Sequence, residues 1–114
     1  MGRQVAIEAI AGAVSGNILY KGDYEHVNGV VASGLMSDVL VSEEEGILLV
    51  SNLSTPQVVR TADMVGAYAI LITNGKMLSD DMKELAEELA ITLLHTDMSM
   101  FDVCYKLGKI LYER

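Results

Sequence analysis

The chain has 114 residues, 51% of them apolar, and a formal net charge of −8 from sixteen acidic against eight basic residues. That length suits one domain able to bury a core without staples, and the single cysteine, Cys104, excludes an intrachain disulfide and a thiolate metal cage. The acidic balance, with no Lys/Arg cluster, argues against a nucleic-acid backbone or an anionic membrane as partner, and no apolar run approaches the ~18 residues of a membrane span. The expectation is a soluble, cytoplasmic single domain over residues 1–114, with no cofactor and no metal.

Residues 3–11 carry Val5/Ala9 and Ala6/Ile10 at a spacing of four, which predicts a short helix stopped by Gly12. Ala13-Val14-Ser15 reads as a brief strand before a Gly16-Asn17 turn, and Ile18-Leu19-Tyr20 as another before Gly22-Asp23. Asn28–Ser33 is strand-like. Leu35–Val41 is ambiguous, with Ser37 placed to cap one helical turn under Val39 and Leu40. Ser42-Glu43-Glu44-Glu45-Gly46 reads as a solvated charged turn.

The second half is more regular. Ile47–Val50 is a continuous apolar run, the mark of a strand covered on both faces. Thr55 stands as an N-cap before Pro56 at the first helical position, Val58, Val59, Ala62 and Val65 form the stripe, and Gly66 is the stop. Tyr68–Thr73 is a second buried strand ended by Asn74-Gly75, where one of the two takes a positive φ. Ser79 caps a third helix with Asp80 and Asp81 in its first turn and Met82, Leu85, Ala86, Leu89 and Ala90 on one face. Ile91–Leu94 is a third strand. Ser99 and Asp102 resemble a capping box for a last helix from about Met100 to Tyr112.

Strand and helix thus alternate over residues 47–112, which implies parallel strands and a three-layer α/β fold with a largely parallel central sheet. Parallel strands direct their carboxyl ends to one edge, where open α/β sheets commonly bind ligands. The three strand-to-helix joints, at Ser51–Thr55, Thr73-Asn74-Gly75 and His95-Thr96-Asp97, are expected side by side there.

Ala69–Gly75, followed by Glu84–Ile91 and Asp97–Phe101, resembles the DRTGG domain, a module of about this length. Gly29–Leu40 looks like the corresponding earlier strand and turn of small stand-alone members. The resemblance implies a fold related to the N-terminal, non-kinase domain of HPr kinase. It also implies a regulatory or ligand-sensing role, since related modules are fused to CBS domains or lie inside phosphotransacetylases. The family's Thr-Gly-Gly aligns with Thr73-Asn74-Gly75, and its Asp-Arg pair with Ser54-Thr55, where both charges are gone. No P-loop pattern is present, so kinase chemistry is not supported.

The candidate ligand-binding residues are Ser51, Asn52, Ser54, Thr55, Thr73, Asn74, Gly75, His95 and Asp97. The helix after Thr55 has no acid in its first turn, so its amides could receive an anion. Thr55 could equally serve only as a cap, and Asn74-Gly75 only as a turn. His95 beside Asp97 is either a hydrogen-bonded strand end or a proton carrier, with no nucleophile beside it to make a triad. Asp80, Asp81 and Asp97 disfavour a polyanion, so a small metabolite or a nucleotide-like ligand of low charge fits better. Cys104 falls on the inward stripe Met100, Val103, Cys104, Leu107, Leu111 and reads as a buried, inert thiol. Phe101, Tyr105, Gly108 and Tyr112 form a second stripe, facing either a neighbouring helix or the second subunit of a homodimer. A polar outer face is formed by Asp102, Lys106, Lys109 and Glu113. The leading reading is a non-enzymatic regulatory module. The alternatives are an interaction protein acting through its last helix, or a small enzyme using His95.

Overall fold

The computed structural model describes residues 4–41 and 44–112. In chain order its elements are β1 (Val5–Ala6), α1 (Ile7–Ala13), β2 (Asn17–Tyr20), β3 (His26–Val27), β4 (Gly29–Ala32), α2 (Met36–Val39), β5 (Ile47–Ser51), α3 (Pro56–Met64), β6 (Ala69–Ile72), α4 (Asp80–Glu88), β7 (Thr92–His95) and α5 (Met100–Tyr112). The central sheet has the order β2-β7-β6-β5-β4. Strands β4 to β7 are mutually parallel and β2 joins β7 antiparallel as an edge. Strands β1 and β3 form a separate antiparallel ribbon.

Strands β5 and β6 explain the layers. All of Ile47–Ser51 and Ala69–Ile72 are fully buried. Side chains alternate across a strand, so Ile47, Leu49, Ile70 and Ile72 enter one cluster, with Val58, Val59, Ala62, Met82 and Ala86 from α3 and α4. Leu48, Val50, Ala69 and Leu71 enter the other, with Ile7 and Ile10 of α1 and Val103 and Leu107 of α5. Each successive strand from β4 to β7 is added on the same side of the last. The connecting helices α2, α3 and α4 therefore share one face, and α1 and α5 cover the other.

Three helices end in the same way. After α1, α3 and α4, the next residue but one adopts the left-handed region: Ser15 (φ 52°), Gly66 (φ 72°) and Ala90 (φ 58°). At each end two amides reach back: Ser15 to Gly12 and Gly16 to Ala11, Gly66 to Asp63 and Ala67 to Ala62, Ala90 to Glu87 and Ile91 to Ala86. This is the Schellman pattern, which satisfies the last carbonyls of a helix and reverses the chain into the following strand.

In the first forty residues the expected strands at Ile18–Tyr20 and within Asn28–Ser33 and the helical turn under Val39 are present, and the rest differs from expectation. The first helix begins after Val5–Ala6, which pair with His26–Val27 as a strand, and the expected start at Arg3 lies outside the described residues. Gly12 does not stop α1, and Ala13–Ser15 form its end instead of a strand, because Ser15 takes the left-handed conformation. Ser37 lies inside α2; the N-cap position is Leu35, whose amide donates to the Ser33 hydroxyl. Ser42 and Glu43 of the charged turn lie outside the described residues, while Glu44 and Glu45 are exposed.

In the second half the elements stand where the pattern puts them, with corrections at single residues. Thr55 occupies the N-cap position of α3 without a side-chain capping bond. Ser79 caps α4 through the Met82 amide and Ser99 accepts from the Asp102 amide, at 3.2 and 3.1 Å. Ala90 is the left-handed residue after α4 and not part of its face. Asn74 and Gly75 both take positive φ. Cys104 is exposed, because α5 meets the sheet through Val103 and Leu107 and the buried stripe is too narrow to include it. Partial burial nonetheless pushes its thiol above the ordinary value of 9.0, away from the reactive thiolate. Glu113 lies outside the described residues, and Asp102, Lys106 and Lys109 are exposed as expected. No helix among the described residues is long and apolar enough to cross a membrane.

Ala90 carries a Cβ in a conformation that glycine adopts without strain. Ala90→Gly is expected to raise stability by about 1 kcal/mol, read as a higher urea midpoint at unchanged slope. A lower midpoint would show that the methyl packs more favourably than its backbone strain costs.

Candidate functional site

The parallel register brings the expected joints to one rim. Ala32 stands opposite Val50, Ser51 opposite Ile72, and Ile72 opposite His95. Asn52, Thr73 and Thr96 therefore emerge side by side, with Ser33-Gly34 as a fourth neighbour on the β4 side.

The rim is tied together by its own backbone. The Ser33, Thr73 and Thr96 amides donate to the carbonyls of Val50, Ser51 and Ile72, at 2.9, 3.0 and 3.0 Å. The left-handed Asn74 and Gly75 then aim their amides at the carbonyls of Met98 and Thr96, at 2.8 and 2.9 Å, which joins the β6–α4 loop to the β7–α5 loop.

Of the nine residues expected at the site, Ser51 and Thr73 are fully buried. The Ser51 hydroxyl accepts from the Leu53 amide at 3.2 Å, and the Thr73 hydroxyl donates to the Ser51 carbonyl at 3.5 Å. Both support the rim from beneath. Asn52, Ser54 and His95 are half-buried, and Thr55, Asn74, Gly75 and Asp97 are exposed. His95 is paired in register with Asn17 of β2, as a strand end would be. No hydrogen bond or ion pair joins it to Asp97.

Asn52 is the unusual member. Its Oδ1 is buried and has no hydrogen-bond partner. A carbonyl-type oxygen held this way forgoes the bonds it would make in water, at a cost of about 1–3 kcal/mol. Gly34 makes the arrangement possible: a Cβ there would stand 2.7 Å from Asn52 Oδ1. Next to Asn52, α3 begins with no capping side chain and no acid in its first turn. Of the other helices that start at this rim, α4 is closed by Ser79, Asp80 and Asp81 and α5 by Ser99 and Asp102, while the single turn of α2 has no capping side chain but carries Asp38. Pro56 has no N–H and the Val58 amide donates to the Thr55 carbonyl, so the joint at α3 offers the Gln57 amide and the unsatisfied Asn52 acceptor together.

Sequence reasoning overlooked two rim residues. Gly34 sits in the first half, where no regular alternation marks β4 as a neighbour of β5. Thr96 was bracketed by His95 and Asp97 without a role. It is 1% exposed, and its hydroxyl donates to the Val14 carbonyl at 2.7 Å and accepts from the Met98 amide at 3.2 Å. It fastens the end of α1 to the rim. Among the described residues no three His, Cys, Asp or Glu side chains converge as a metal site. Two surface clefts lie at the opposite, amino edge of the sheet, around Gly66.

No family model and no curated protein matches the chain. Among solved structures, one of the CBS and DRTGG domains of the regulatory region of Clostridium perfringens pyrophosphatase, complexed with the activator diadenosine tetraphosphate, aligns with a TM-score of 0.80 and 16% sequence identity. The alignment covers 93% of this chain and 47% of that one, so this chain spans about half of its neighbour's length. The fold is accordingly a DRTGG-like α/β domain, with its mostly parallel sheet covered by helices on both faces.

Thr96→Val removes the hydroxyl and leaves the buried Val14 carbonyl without that donor. The expected loss is about 1–3 kcal/mol, measured by urea denaturation. A loss no greater than that of an exposed Thr55→Val control would show that the bond to α1 contributes nothing to the rim.

Proposed function

We propose that the chain is a regulatory module that senses a small, nucleotide-like ligand at the carboxyl rim of its sheet, as a single cytoplasmic unit over residues 1–114. The observation that carries this reading is the buried, unpartnered Asn52 Oδ1 beside the uncapped start of α3. A ligand that donates an N–H or O–H to Asn52 and sets an acceptor or weakly anionic group against the Gln57 amide satisfies both. Asn74 follows the neighbouring strand β6, and His95 and Asp97 lie one strand further along the rim. The fold shared with a regulatory region that was crystallised with diadenosine tetraphosphate supports this class of role. The carboxylates of Asp80, Asp81 and Asp97 favour a nucleoside-like or lightly charged ligand over a polyphosphate.

Wild-type protein is expected to show a raised melting temperature with one or more of adenosine, adenosine triphosphate and diadenosine tetraphosphate. Saturation near one hundred times Kd would contribute about 2.7 kcal/mol. Asn52→Leu should abolish the shift. A shift that persists in Asn52→Leu places the ligand elsewhere, and no shift with any of the three removes the nucleotide-like reading.

A second reading, assembly through α5, rests on its aromatic stripe. Phe101 is 82% exposed, Tyr105 58% and Tyr112 83%, on one face of the helix with Gly108. Among the described residues no neighbouring helix covers them. Aromatic anchors around a small residue suit a close symmetric contact, so we infer a homodimer through this face, with the ligand rim left open. Tyr105→Glu would place a charge in that contact. Its mass in solution should fall to that of one chain, whereas an unchanged oligomeric state would end the assignment of α5 as the interface.

A further inference from the structure

The amino edge of the sheet, opposite the rim, carries a groove that the regulatory reading leaves unexplained. Two clefts run into each other there because Asp63 and Gly66 line both. The groove follows from the way α3 and α4 end. Gly66 and Ala90 reverse the chain in left-handed conformations, and small residues at both turns leave the space above them open.

Its lining combines apolar surface with one sign of charge. Tyr24 and Tyr68 stack with centroids 3.6 Å apart and planes 4° from parallel, and Tyr24 is 49% exposed. Leu40 and Met64 add exposed aliphatic surface at the other end, 46% and 73% exposed. Asp23, Glu44, Glu45 and Asp63 also line the groove, and no Lys or Arg among the described residues does. The helix ends strengthen the same field. The negative ends of α3 and α4 point to this edge and neither helix has a base in its last turn. Lys21, which follows β2 at this edge, is already 3.7 Å from Glu8.

We propose that this groove docks an arginine-bearing, partly apolar segment of a partner protein. Charge complementarity selects the occupant. A second copy of a chain carrying −8 would bring like charge to like, and anionic lipid or nucleic acid would be repelled. A metal ion is disfavoured because no three carboxylates or imidazoles among the described residues converge on one point. Arginine fits better than lysine: its planar guanidinium stacks on the open face of Tyr24 while pairing with a carboxylate, and its apolar neighbours reach Leu40 and Met64.

The probe is a fluorescein-labelled peptide of alternating Arg and Leu, with Lys-Leu and Glu-Leu peptides as comparisons, read by anisotropy at low and at physiological salt. The wild type is expected to bind the peptides in the order Arg, Lys, Glu. The Asp63→Asn/Glu45→Gln double variant should weaken Arg-peptide binding about tenfold, and Tyr24→Ala should remove the preference for Arg over Lys. Asp80→Asn, at the opposite edge, should change neither. Circular dichroism and urea midpoints establish that each variant is folded. Met64→Ala, which alters no charge, should reduce binding of the same peptide. Equal weakening by Asp80→Asn would mean that only the net charge attracts the peptide, and would overturn the proposal. So would indifference to both Tyr24→Ala and Met64→Ala. A wild-type dimer dissociated by Asp63→Lys would make the occupant a second copy and would also overturn it.

Discussion

Strands β5 and β6 have no face that touches water, and the rest of the architecture follows from keeping them covered. Ile47–Ser51 and Ala69–Ile72 send alternate side chains into two separate clusters, so neither face can be left bare. Parallel pairing makes this demand stricter, because each strand needs a crossover before the next can be laid beside it. The crossovers α2, α3 and α4 supply one cover. The opposite face falls to the two helices outside the crossover series, α1 and α5. Thr96, at the end of β7, ties the end of α1 to the sheet rim.

The same arrangement separates the molecule into two chemically different edges. At the carboxyl edge, loops leave strands and enter helices, so helix amino termini and spare backbone donors collect there. At the amino edge, helices end, so carbonyls collect. The repeated Schellman turn makes the second edge compact: it satisfies the last carbonyls within the backbone and needs no cationic side chain to do so. Acidic residues can then gather at Asp63, Glu87 and Glu88, where the helix dipole alone would favour bases. An edge built this way keeps a negative field that a cationic partner can meet.

The terminal helix follows a different economy. Val103 and Leu107 suffice to hold α5 against the sheet, with Met100, Ile110 and Leu111 packed around them. Its aromatic residues play no part in that contact. Lys109 lies 5.4 Å from the centre of the Tyr105 ring. Among the described residues these large rings lie outside the closed core, and the proposed homodimer contact would cover them.

Composition and hydrophobic period alone determined a great deal. The continuous runs Ile47–Val50 and Ala69–Ile72 announce strands buried on both faces, Pro56 and Ser79 announce helix starts, and Gly66 announces an end. Strand–helix alternation then implies a shared rim for Asn52, Asn74 and His95. These signals are local, so they survive without coordinates. The first half was less legible because its decisive features are not local. Ser15 takes the conformation usually reserved for glycine, and only the turn back into β2 requires it; in the second half Ala90 does the same before β7. The pairing of Val5–Ala6 with His26–Val27 spans a whole helix and a strand. Tertiary structure also divided the candidate site. Ser51 and Thr73 sank beneath the rim because they still belong to the strand ladder, whereas Asn52, one residue further on, sits against Gly34 with an acceptor unmet. Whether a polar side chain near a strand end supports the fold or awaits a ligand depends on what the neighbouring strand places beside it, and that is fixed by register and packing.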